Sequence, residues 1–164
     1  MIAISGILGI LAAICLLPSL YRGVVQDLKE FKFAEAHFDS LWVNAAFILI
    51  GGMYVSILID RLWLMVVELL LISVVASLIF WFIGLRSRGA GGDWRALIYI
   101  AVIAPFMLLE VLVASCICGV VQAVYWIMRP DIKTPPMFRK IPFAVSIFSG
   151  YVIALLWMVV KVFS

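Results

Sequence analysis

Two acidic residues, Glu68 and Glu110, stand inside long uncharged stretches of this 164-residue chain. A charged side chain at the bilayer centre costs at least about 2.5–3.5 kcal/mol, so such a residue normally faces protein or water and serves a function. Pro105 precedes Glu110 by five residues, and it should break a helix there and free the carbonyl of Ala101. We predict Glu110, Glu68 and Pro105 as the candidate functional residues within the membrane. Gln122 is the expected polar neighbour of Glu110 if the helix is continuous.

Glu68 also has a simpler interpretation. It follows Arg61 by seven residues, about two helical turns, and can therefore reach the headgroups as a partly hydrated structural carboxylate.

Other reactive residue types give no pattern of a catalytic, cofactor or metal site. His37 is the only histidine, and the three cysteines, Cys15, Cys116 and Cys118, all lie in apolar stretches. Cys116 and Cys118 should point about 200° apart on a helix, whereas redox pairs use a Cys-x-x-Cys spacing. We interpret Cys116 and Cys118 as small core residues, with palmitoylation, redox chemistry or contact with a partner as the alternative, and expect no enzymatic activity, cofactor or metal.

The composition determines the class of protein. Hydrophobic residues make up 67% of the chain and charged residues 13%, with a mean hydropathy of +1.26. Soluble domains are about 45–50% apolar and about 25% charged. The net charge of +3 is small, and the basic residues lie in short loops, so nucleic acid is not an expected partner. The sequence predicts an integral membrane protein.

Five apolar blocks approach or exceed the roughly 20 residues that cross a bilayer as a helix. They are residues 2–20, 41–59, 62–85, 97–128 and 141–163. The first lacks a preceding basic residue and a cleavage site, so we interpret it as a retained span. Residues 41–85 as one helix would be roughly 68 Å long, so the chain should reverse at Asp60-Arg61. We predict an all-α membrane domain over residues 1–164, with four to five transmembrane helices and one amphipathic interfacial helix.

The fourth block, 97–128, is long enough for two arrangements. It can form one kinked, tilted span, which places seven basic residues on one side of the membrane and five on the other. It can instead form a re-entrant hairpin that turns near Glu110, which places ten basic residues on one side of the membrane and two on the other. Each arm of the hairpin would then have only about 16 residues, fewer than a spanning helix usually has. A third arrangement has four spans with the first block lying flat. We favour an external N-terminus with the loops at 22–40 and 86–96 in the cytoplasm.

The linker at residues 22–40 should form the interfacial helix. Apolar residues recur at helical spacing along it, at Val24, Leu28, Phe31, Phe38 and Trp42. The helix either extends and positions the first two spans or forms a docking surface for a protein partner.

Small residues recur four positions apart in three blocks and predict close helix packing. The triplets are Ser5, Gly9 and Ala13; Ser115, Gly119 and Ala123; and Ser146, Gly150 and Ala154. They favour a compact bundle, a homo-oligomer or both; a glycine-lined conduction path is the alternative.

These features favour a small non-catalytic membrane protein that acts through helix–helix or loop contacts with a membrane partner. Accessory, immunity and superinfection-exclusion roles fit, and the short loops fit a bacterial inner membrane. The expected partners are the bilayer and another membrane protein or a second copy. One alternative is a channel or transporter component that uses Glu110 at the Pro105 break. A membrane enzyme acting on lipid through Glu68 and Glu110 is a third hypothesis.

Overall fold

The computed structural model describes residues 2–30, 41–86, 91–128 and 143–164, and all regular structure in those ranges is helical. The helices are α1 (Ile2–Glu30), α2 (Leu41–Ile59), α3 (Trp63–Arg86), α4 (Gly91–Ile103), α5 (Leu108–Met128) and α6 (Phe143–Phe163), with a 3₁₀ turn at Pro105–Met107. Five of these helices are long and apolar enough to cross a membrane, whereas α4 has 13 residues. The all-helical class is confirmed, and the five apolar helices are consistent with a multi-pass integral membrane protein.

Helix α1 lies at the centre of the bundle and packs along both α2 and α6. Its residues Ala12, Ala13 and Leu16 are fully buried, which excludes the arrangement with the first block lying flat. The helix continues through Pro18 to Glu30. Residues 22–30 therefore extend α1, as one interpretation of the linker predicts. The rest of the predicted interfacial helix, at residues 31–40, lies outside the described residues.

The predicted reversal between α2 and α3 is confirmed at Asp60-Arg61. The Arg61 N–H donates to the Leu58 carbonyl at 2.9 Å, and the Leu62 N–H donates to the Ile57 carbonyl at 3.1 Å. This pair of bonds is the Schellman arrangement that closes a helix C-terminus. Arg61 occupies the left-handed position, with φ 58°, where glycine is usual.

A second break separates α4 from α5. Ala104 leaves the helical region, with φ −131° and ψ 53°, and Pro105 begins the 3₁₀ turn. Ile103, Ala104 and Met107 are fully buried and Phe106 is half-buried, so protein covers most of this turn. Non-helical backbone is tolerated at membrane depth only where protein or a water-filled cavity surrounds it.

The contacts of α4 show that it runs antiparallel to α3. The Trp94 ring stacks on Phe80 near the end of α3, with ring centroids 6.4 Å apart. Pro105 shares a groove with Met65 and Ile72 near the start of α3. Helix α4 therefore begins beside the end of α3 and descends towards its start.

Helix α5 returns in the opposite direction. It packs antiparallel to α6, because Ser115 lies beside Gly150 and Gly119 lies beside Ser146. Helix α6 in turn runs antiparallel to α1, as the bond between Asp27 and the N–H of Ala144 shows. The start of α4 and the end of α5 consequently lie at the same end of the bundle.

The fourth block thus takes the re-entrant hairpin arrangement rather than a single kinked span. The turn occupies Ala104–Met107 instead of lying near Glu110, and the arms are unequal, with 13 and 21 residues. Pro105 sets this position because it lacks the N–H that the helix would need. Glu110 instead lies in the first turn of α5, where a carboxylate interacts favourably with the helix dipole.

This path separates the basic residues unequally. Among the described basic residues, Arg22, Lys29, Arg86 and Arg95 lie towards one end of the bundle, and six more fall in the sequence between helices that meet at that end. The other two described basic residues, Arg61 and Lys161, lie towards the opposite end, where α1 begins and α6 ends.

Candidate functional site

The three predicted intramembrane residues line a single groove. Glu68 lies on the second turn of α3, Glu110 lies on the first turn of α5, and Pro105 begins the 3₁₀ turn between α4 and α5. The groove has a volume of about 560 Å³, and its other lining residues are Met65, Leu69, Ile72, Phe106, Leu108, Leu109 and Leu112. The hairpin brings together two acidic residues that are 42 positions apart, because it turns against the start of α3.

Both carboxyl groups lie in an otherwise apolar setting. Glu68 is exposed at the rim of the groove, and Glu110 is half-buried. Neither forms a hydrogen bond or an ion pair with any other residue that the structure describes. Glu68 lies five residues inside α3, about 7.5 Å along its axis, so the groove belongs to the end of the bundle that holds the Asp60-Arg61 turn.

Glu110 also borders a second groove, between α5 and α6. This groove has a volume of about 400 Å³ and is lined by Leu109, Glu110, Val113, Ala114, Ile117, Ile153, Ala154 and Trp157. Leu109 and Glu110 are shared by the two grooves. The Glu110 side chain therefore borders both of them on the outer side of α5.

Gln122 does not act as the polar neighbour of Glu110. Its Oε1 accepts a hydrogen bond from the hydroxyl group of Ser146 on α6. The twelve residues from Glu110 to Gln122 correspond to about 18 Å along α5, which places the amide far from the groove.

The small-residue faces of α5 and α6 pack against each other. A Cβ atom added at Gly150 would lie 2.6 Å from the Cα of Ser115 and closer still to the Oγ and N of that residue. A Cβ at Gly119 would lie 3.6 Å from the Oγ of Ser146, an ordinary contact. The close approach of these helices therefore requires glycine at position 150 but not at position 119. Ala154 is buried on the same face of α6, and Ala123 is half-buried on α5.

The third small-residue face, on α1, is also used inside the chain. A Cβ at Gly9 would lie 3.1 Å from both the sulfur of Met53 and the ring of Phe106. Ser5 and Ala13 are buried on the same helix. The three faces thus hold one bundle together, and a second copy would have to bind elsewhere.

Sequence reasoning missed two polar contacts that fix α6. The Oδ2 of Asp27, which is 6% exposed, accepts the N–H of Ala144 at 3.1 Å and so caps the start of α6. The hydroxyl group of Tyr151, fully buried, donates to the carbonyl of Ala13 at 2.8 Å. Two sequence signals point to them: residues 140–142 include no capping side chain, and a tyrosine within an apolar block needs a polar partner.

The cysteines and the histidine do not form a cluster among the described residues. Cys15 packs against the core, but Cys116 is exposed, which corrects its assignment as a core residue. Position 116 lies about 100° from Ser115 on α5, away from α6. No group of three potential metal ligands occurs among the described residues, and His37 lies outside them.

Comparison of the chain with protein-family models, curated proteins and solved structures finds no match.

Proposed function

We propose that the chain is a non-catalytic membrane protein that acts by binding another membrane protein. The observation that carries this proposal is the outward position of Glu68 and Glu110, without a partner among the described residues. The buried Asp27 and Tyr151 are, by contrast, hydrogen-bonded within the bundle, and the buried polar atoms of the described chain that lack a partner belong to uncharged side chains, those of Tyr54, Ser77, Trp94 and Ser115. A carboxylate that faces lipid is costly, so a lateral surface with two of them is suited to contact with protein.

The distribution of basic residues supports an immunity or exclusion role within this proposal. Loops rich in lysine and arginine stay in the cytoplasm, so the ten-to-two distribution favours external chain termini. The groove at Glu68 and Glu110 then lies in the outer half of a bacterial inner membrane. A system that enters the cell from outside would meet this surface first.

Site-specific photocrosslinking in native membranes tests the proposal. A photoreactive residue at Leu109, which borders both grooves and is 72% exposed, should give one discrete protein adduct. The matched control is Leu85, 65% exposed at the far end of α3, which should give none. Equal labelling at the two positions, or no protein adduct at Leu109 and at its groove neighbour Leu112, would contradict the proposal.

A channel or transporter component is the second candidate function. The hairpin favours it, because α4 and α5 form a discontinuous pair and Glu110 lies in the first turn after the break. Transporters often place ion and substrate sites at such breaks. Proteoliposomes containing the protein should show no proton or alkali-cation flux above empty vesicles if the first proposal is right. A flux that Glu110→Gln abolishes would favour the second.

A further inference from the structure

The shape of the surface around Glu110 points to the type of partner. The two grooves meet at Leu109 and Glu110 and together border most of the outward surface of the first half of α5. In the second groove the small side chain of Ala114, half-buried on α5, leaves room for a close neighbour. An apolar groove of this kind can receive a helix along its length.

The acidic residues of this surface indicate which kind of helix would bind there. Among the described residues that line the first groove, Glu68 and Glu110 are the polar ones; Glu68 lies in the second turn of α3, and Glu110 lies in the first turn of α5, just after the buried turn at Pro105–Met107. Arg61 and Lys161 belong to the same end of the bundle, but neither forms an ion pair with these carboxyl groups within the described chain. The long side chain of Lys161, in the last turn of α6, can instead extend towards the headgroups.

We propose that the groove binds a transmembrane helix of a different protein that carries a lysine or arginine in the outer half of its span. This inference rests on the proposed function. A second copy is a poor occupant, because the basic residue that its described spans carry at this end, Lys161, lies in the last turn of α6. A lipid amine is the competing occupant, and phosphatidylethanolamine vesicles test it.

A synthetic helix tests the charge requirement directly. The probe is a leucine–alanine helix of about 20 residues with one lysine about six residues, or 9 Å, from one end. Its control carries norleucine in place of lysine. Energy transfer between a dye on the probe and a fluorescent protein fused after Ser164 reports association in phosphatidylcholine vesicles. We expect the lysine probe to bind about tenfold more tightly than the norleucine probe.

Matched variants assign that preference to the groove. Glu68→Gln combined with Glu110→Gln should remove the preference, whereas Asp60→Asn, at the same end but outside the groove, should retain it. Equal binding of the two probes to the unmodified protein, or an unchanged preference in the double variant, would overturn the inference. Loss of the preference in phosphatidylethanolamine vesicles would also overturn it, since a lipid amine would then be the occupant. Unchanged elution of each variant in detergent excludes misfolding.

The crosslinking experiment distinguishes this inference from the proposed function. If the double variant loses the probe preference but keeps the native adduct at Leu109, the partner binds without a cation and only the inference fails. If no native adduct forms at either groove position, the proposed function fails as well.

Discussion

The contact between Gly150 and Ser115 predicts that one added methyl group at position 150 separates α5 from α6. In Gly150→Ala the new Cβ would lie 2.6 Å from the Cα of Ser115. Ordinary carbon–carbon contacts are about 3.5–4.0 Å, so the helices must move apart by roughly 1 Å. Because the nearest atoms include backbone, a change of rotamer cannot relieve the overlap.

The cost of that movement follows from the contacts it weakens. A gap of up to about 1 Å removes roughly a quarter to a half of the dispersion energy of each atom pair in contact across the face. The hydrogen bond from Ser146 to Gln122 spans the same interface and is worth about 0.6 kcal/mol in a membrane bundle. We expect Gly150→Ala to lower the free energy of unfolding by about 1–3 kcal/mol, the range for overpacked cores.

The same substitution at Gly119 is the matched control. Its Cβ would meet the Oγ of Ser146 at 3.6 Å, so Gly119→Ala should change stability by less than about 0.5 kcal/mol. Steric trapping in bicelles measures the free energy of unfolding for both variants, and immunoblotting of membranes measures their abundance. If Gly150→Ala is as stable as the unmodified protein while Gly119→Ala is destabilised, the packing argument is refuted.

Three further pairs of variants can be measured by the same unfolding assay. Asp27→Ala should lower the free energy of unfolding by about 1 kcal/mol, because α6 loses its cap. Asp27→Asn keeps an acceptor oxygen and should lower it less. An equal loss of stability in the two variants would exclude the capping role. Tyr151→Phe should lower the free energy of unfolding by about 0.6 kcal/mol, because it removes the buried hydrogen bond to Ala13. The control is Tyr125→Phe, at a side chain that is 60% exposed, and it should leave stability unchanged. A larger loss for Tyr125→Phe than for Tyr151→Phe would refute the contribution of the buried bond. Gly9→Leu should lower the free energy of unfolding by about 1–3 kcal/mol. Gly51→Leu should leave it unchanged, because a Cβ at Gly51 has no neighbour within 4 Å. An unchanged stability of Gly9→Leu would show that α1 and α2 are not closely packed at this position.

The sequence alone predicts the helices well because hydropathy dominates their placement. The apolar blocks, the reversal at Asp60-Arg61 and the small-residue triplets all follow from composition and spacing. The left-handed conformation of Arg61 does not, since glycine or asparagine usually marks such a position.

Tertiary pairing is the part that the sequence could not supply. Glu68 and Glu110 are each conspicuous as acidic residues in apolar blocks, yet nothing local indicates that they share a groove. The triplets containing Gly119 and Gly150 look equivalent as patterns, but the register of α5 against α6 makes only Gly150 sterically necessary. Asp27 was missed for a similar reason, because the helix that it caps begins 116 residues later.

The re-entrant hairpin is the central structural feature, since it forms the groove and determines on which side of the membrane the segments after α5 lie. Reporter fusions after residues 90, 133 and 164, with an insertion at Asp60, test it most directly in a bacterial host. The hairpin predicts that the reporters at 90 and 133 are cytoplasmic and that those at 60 and 164 are external. If the reporter at 133 lies on the opposite side from the one at 90, residues 97–128 cross the membrane once and the hairpin is contradicted.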